Sequence, residues 1–86
     1  MTPFALRLIT RDGEAFARDV VSVDVPAAEG RLTVPAHHAP LVCSVLKGTV
    51  KIRDASGEPE TWHVAPGVMQ VREDGVELLV RNAARE

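Results

Sequence analysis

The feature that most constrains this chain is a repeated alternation of period two, broken at short intervals by glycine. Phe4, Leu6 and Leu8 alternate with Ala5, Arg7 and Ile9, and Val21, Val23 and Val25 alternate with Val20, Ser22 and Asp24. The same pattern returns at Leu32 and Val34, at Val50 and Ile52, at Trp62 and Val64, and at Val76, Leu78 and Val80. Successive side chains of a strand face opposite sides, so each run has one face for a core and one for water. Leu41 to Leu46 is apolar on both faces, which predicts a strand covered on both sides. Between the runs fall Asp12-Gly13, Glu29-Gly30, Lys47-Gly48, Asp54 to Gly57, Pro66-Gly67 and Asp74-Gly75. Glycine supplies the backbone freedom that tight turns need. Asp74-Gly75, between Met69–Arg72 and Val76–Arg81, fits a two-residue hairpin loop.

Many short strands with regular turns predict an all-β fold, a sandwich of two antiparallel sheets with about ten strands. The 86 residues suffice for one domain, residues 1–86. A chain this short buries roughly 60–65% of its unfolded surface, enough for one thin core but not for a deep enclosed active site. With Phe4, Phe16 and Trp62 as its only aromatics, the core must come from Val, Leu, Ile and Ala. Only residues 82–86 read differently. Asn82 is an N-cap type followed by helix formers, so this end is expected to be a residual tail or the first turn of a helix.

Composition also excludes function classes. The net charge is -2, and Lys and Arg are spread among acidic neighbours, so no basic stripe exists to attract nucleic acid. The N-terminal segment is interrupted by Arg7 and Arg11 and reads as neither leader nor membrane span, so no direct membrane insertion is expected. Cys43 is alone and cannot form an intrachain disulfide.

Chemistry-bearing residues are few. His37 and His38 are adjacent and point apart on an extended chain, and His63 has no ligand neighbour in sequence, so no metal is expected. A Cys43–His38 nucleophile and base is disfavoured because Cys43 lies in the most apolar run. The glycines are isolated and form no phosphate loop, and the carboxylates are dispersed. No catalytic residue and no cofactor are expected.

The segment Glu29-Gly30-Arg31-Leu32-Thr33-Val34, leading to His37-His38-Ala39-Pro40-Leu41, resembles the signature of F-type ATP synthase epsilon subunits. There Glu-Gly-x-Leu-x-Val is followed within a few residues by Gly-His-Ala-Pro-Leu. The opening strand Leu6–Thr10, the strand Val20–Pro26, Leu46–Ile52 and the last strand Val76–Val80 match the family order, so the resemblance runs from Phe4 to Ala84. It implies a non-catalytic β-sandwich of the central stalk, peripheral on the cytoplasmic face of a bacterial inner membrane and held there through the larger complex. Its partners would be the gamma subunit and the polar loops of the membrane c-ring, and it would couple ion translocation to ATP synthesis or hydrolysis.

By position, the resemblance assigns Thr10, His38, Leu41, Val42 and Cys43 to the gamma interface. Glu29, Gly30, Arg31 and His37 fall at the c-ring interface, while Leu32 and Pro40 pack the loop. Arg31 stands where many members carry Glu. Either the cognate ring loop is acidic or neutral, or Arg31 is a solvated side chain without a partner. His37 replaces the usual Gly, and Pro35 sits one place early. The helical hairpin that comes after the sandwich in the family is not in this sequence, so neither ATP binding nor autoinhibition is expected of it. That end is either natural, as in some alternate ion-pumping members, or a cut after the sandwich. Two rival readings stay open: a β-sandwich adaptor of another assembly, and a small metal-dependent β-barrel enzyme.

Overall fold

The computed structural model describes residues 2–35 and 39–86. These residues form nine strands, in keeping with the ten or so expected: β1 (Phe4–Thr10), β2 (Gly13–Ala27), β3 (Gly30–Pro35), β4 (Leu41–Val45), β5 (Gly48–Asp54), β6 (Pro59–Val64), β7 (Gly67–Arg72), β8 (Gly75–Val80) and β9 (Ala83–Arg85). No helix occurs among them.

The strands stack as two layers. In the first, β1 lies between the N-terminal half of β2 and β8, and β7 and then β4 continue outward from β8. In the second, β3 pairs with the C-terminal half of β2, which pairs in turn with β5, then β6, then β9. Strand β2 therefore belongs to both layers. At its far end a single pair, Ala27 with Val45, and the Leu46 amide on the Pro26 carbonyl (2.8 Å) join the layers again. All pairs are antiparallel except β1 with β8.

The passage of β2 between layers is written in its side chains. Phe16 and Val20 face the core from even positions, and Val23 and Val25 from odd ones. The change of parity falls where the β2–β5 register shifts, between Val20 and Ser22. An extra residue on one strand bends it and rotates the residues beyond the insertion. Val21 is that residue, and apolar groups stay inward on both sides of it.

Both inner faces feed one core. Leu6, Leu8, Met69, Val71, Val76 and Leu78 come from the first layer, and Val23, Val34, Val50, Ile52, Trp62 and Val64 from the second. The Phe16 and Trp62 rings meet edge to face at 6.4 Å. Gly67 is required by close packing within the first layer, since a Cβ there would overlap the Leu79 carbonyl oxygen and the Val80 backbone.

Three local expectations are corrected. Residues 82–86 do not start a helix: Ala83–Arg85 is strand β9, paired to β6 through Trp62–Arg85, His63–Ala84 and Val64–Ala83. The open edge of β6 offers backbone partners, whereas a single helical turn cannot hold itself together in water. The last hairpin has Glu73-Asp74 as its two loop residues, because Gly75 pairs with Arg72 inside the ladder. Among the described residues, strand β4 is not covered on both faces, since Val42 and Ser44 are exposed, and it is an edge strand bonded along its length only to β7.

Candidate protein-interaction surface

Alternation on β4 points Leu41, Cys43 and Val45 toward the inner side and Val42 and Ser44 outward. Val45 is buried, Cys43 half-buried, Leu41 37% exposed and Val42 67% exposed. Register then carries the outer side across the whole layer. Ser44 pairs with Val68, Val68 with Leu79, and Leu79 with Ile9. Val42, Val68 and Leu79 are three of the five exposed large apolar side chains among the described residues, and all lie on this one surface.

Charge fences the strip on one side. Arg7 is ion-paired with Glu14 (2.7 Å) and Glu77 (2.9 Å), and Arg72 with Glu77 (3.4 Å). Arg72 also donates to Gln70 Oε1 at 2.7 Å. With their charges paired among themselves, these residues leave the neighbouring Val68 and Leu79 as the part of the surface with most to gain from being covered.

A second feature lies at the β2–β3 hairpin. The chain turns through Ala28-Glu29, and Gly30 takes φ 119°, a conformation side chains rarely adopt. Glu29 is exposed. Arg31 is not the free side chain that the sequence allowed: its Nε donates to Asp24 Oδ1 (2.9 Å), and its Nη2 donates to the carbonyls of Asp24 (3.2 Å) and Thr49 (2.8 Å). Between this hairpin and β4 lies a cavity of about 440 Å³, lined by residues that include Glu29, Gly30, Arg31, Cys43 and Ser44.

Residues assigned to two different partners thus border one groove. Thr10 is set apart from them. It belongs to β1, three strands from β4, and its hydroxyl is used within the first hairpin, donating to the Gly13 carbonyl (3.4 Å) and accepting from the Asp12 amide (3.1 Å). Leu32 is half-buried against the core, as a packing residue should be, and Pro40 is exposed. His37 and His38 lie outside the described residues.

Burial pushes the Cys43 thiol above its usual pKa, away from the thiolate that a nucleophile needs. His63 Nε2 lies 2.9 Å from Glu86 Oε1 on the outer side of the second layer. Among the described residues, no three His, Cys, Asp or Glu side chains come together to hold a metal ion.

The most buried carboxylate serves structure. The Glu60 side chain is 10% exposed and meets Arg18 (2.8 Å), Arg85 (3.4 Å) and the Trp62 indole N–H (2.7 Å). Burial alone raises its pKa. The indole and Arg18 hydrogen bonds and the two guanidinium charges outweigh that and hold it below the usual glutamate range. Arg18 also sits over the Phe16 ring at 4.5 Å, so this cluster ties both layers to β9.

The sequence model for the ATP synthase delta/epsilon chain β-sandwich domain matches residues 3–86. The chain belongs to that family. It is 40% identical over 77 residues to the ATP synthase epsilon chain of Bartonella quintana, covering 90% of this chain and 55% of that protein. It is 36% identical over 85 residues to ATP synthase epsilon chain 2 of Burkholderia orbicola, covering 98% of this chain and 56% of that one. This epsilon-type domain thus spans little more than half the length of those relatives. In fold it is similar to a chain in the Euglena gracilis mitochondrial ATP synthase structure, with TM-score 0.92 over 99% of this chain and 54% of that chain at 18% identity. A chain of the Tetrahymena thermophila mitochondrial central stalk and c-ring matches with TM-score 0.80 over 96% of this chain and 66% of that chain, at 17% identity.

The sequence reading named Val42 on this outer surface but not Ile9, Val68 or Leu79, which share it. A signal for them existed. Leu8-Ile9, Val68-Met69 and Leu78-Leu79 are adjacent apolar pairs, and neighbours on a strand cannot both face the core.

Proposed function

We propose that this epsilon-type domain is a non-catalytic central-stalk component of an F-type ATP synthase, docking the gamma subunit and the c-ring so that ion flow and rotation stay coupled. The observation that carries the reading is the exposed strip Val42, Val68 and Leu79, presented by a rigid sheet in a chain of this family. Its apolar centre and polar border match the usual anatomy of a protein–protein interface. In this reading gamma covers the strip and the exposed faces of Leu41 and Cys43. The ring meets the tip that carries Glu29, Gly30 and Arg31, with His37 and His38 close by in sequence. Thr10 contributes through the turn that its hydroxyl holds.

Such a spacer needs stiffness more than chemistry. Two densely packed, hydrogen-bonded layers resist shear. No helix of the described residues is long and apolar enough to cross a membrane, so placement at the cytoplasmic membrane face would come from the complex.

The test is recovery of the tagged chain from its native cells with membrane complexes intact, comparing the parent with the double variant Val42→Asp, Leu79→Asp. Gamma, catalytic-head and ring subunits should come down with the parent, and recovery should fall at least tenfold with the variant at unchanged thermal stability. If another assembly accompanies the parent, or the variant retains gamma fully, the reading is wrong.

A further inference from the structure

The one charged side chain that looks reversed for this family is used inside the chain. Cα pairing between β2 and β5 runs as far as Asp24 with Lys51. Beyond that point β2 turns toward β4, which it meets at Ala27. Thr49, two residues past the last β5 pair, is where the Arg31 Nη2 lands at 2.8 Å. The same guanidinium grips Asp24 by its carboxylate (2.9 Å) and by its carbonyl (3.2 Å). One planar fork therefore joins β3, β2 and β5 at the place where the backbone ladder runs out.

We propose that Arg31 is a positioning residue: it clamps the β2–β3 hairpin onto β5, fixes the pose of the Ala28–Glu29 tip, and directs its charge to Asp24 instead of presenting it to a partner. Lysine cannot substitute, because a single ammonium on a flexible stem lacks the rigid fork that reaches three acceptors. The net charge the tip offers outward is then that of Glu29, for which no ion-pair partner is seen among the described residues. This role concerns the chain alone and does not depend on which assembly the domain joins.

Amide hydrogen exchange on the free protein tests it with Arg31→Lys and Asp24→Asn. Arg31→Lys keeps the charge and loses the fork; Asp24→Asn keeps the arginine and removes the carboxylate that holds it. Both should speed exchange across residues 28–34 by roughly threefold to tenfold while β7 and β8 stay at parent rates, a range set by the partial exposure of the pair. Parent-like exchange in Asp24→Asn would overturn the clamp. A second readout is retention of ring subunits in the tagged recovery. The clamp predicts weaker retention for both variants. Stronger retention in Asp24→Asn, where the guanidinium is released, would show that Arg31 reads a partner and would also overturn it. If the parent itself recovers no ring while exchange changes as expected, the clamp stands and only the stalk assignment falls.

Discussion

Two rows of side chains, each crossing four strands on the outside of a layer, show how differently the two faces of this sandwich are used. On the first layer the row reads Ser44, Val68, Leu79, Ile9. On the second it reads Thr33, Asp24, Lys51, Thr61. The inner faces are alike, both closed by Val, Leu and Ile around one core. The second row is complete in water: its groups are solvated, and Asp24 is also paired with Arg31. The first keeps apolar surface that gains from being covered. Inward alternation makes the domain fold, and the composition of the outward positions decides which side leaves apolar surface open.

The strongest way to probe the comparison is to strike what both faces share. Leu78→Ala removes a fully buried side chain at the centre of the first layer and should cost about 2–5 kcal/mol in denaturant unfolding. A much smaller loss would mean that the layers are not packed as one core. Next comes the Glu60 cluster, which links the layers. Its carboxyl pKa is held down in the folded state, so its stabilisation is complete above the unfolded value, about 4.3, and disappears as pH falls through the folded value. Thermal melts from pH 7 to pH 3 should therefore show a loss that Glu60→Gln reduces, while the part due to Asp54, whose carboxyl is also held down, remains. Parallel curves for parent and variant would assign the acid sensitivity elsewhere.

Smallest in stability but sharpest in contrast are paired surface changes. Val68→Thr on the apolar row and Lys51→Thr on the polar row should each shift stability by less than about 0.5 kcal/mol. Only the first should reduce partner recovery. Equal effects of the two on recovery would erase the distinction between the faces.

Much of the fold was legible because strand alternation is local. The inward sets on β1, β5, β6 and β8 read directly from every second residue, and the glycine-marked turns separated them. The features that escaped depended on neighbours distant in sequence. Ala83–Arg85 became a strand because β6 had an unused edge, an opportunity that outranks the high helix propensity of two alanines in a segment too short to hold a helical turn. The double-faced apolar run at β4 was legible as unusual, but its edge position was not, because that depends on how β2 and β7 pair. The site was read less fully. Family position pointed to Val42 and the hairpin tip, but nothing in sequence linked Arg31 to the carbonyl of Thr49, eighteen residues on.

The single parallel pairing has a consequence for how the chain comes to be folded. β1 meets β8 through Ala5 with Gly75 and Leu8 with Leu78, so the first strand gains that neighbour only after some seventy further residues exist. Until then it can form only its hairpin with β2, with its other edge unsatisfied. Contacts between residues so far apart slow folding, because the loop must close before the pairing can stabilise anything. During synthesis the apolar row cannot be complete until β8 is available to lie between β1 and β7. A nascent chain stalled before Leu79 would carry an open strand edge, and it should depend on chaperones where the finished domain does not.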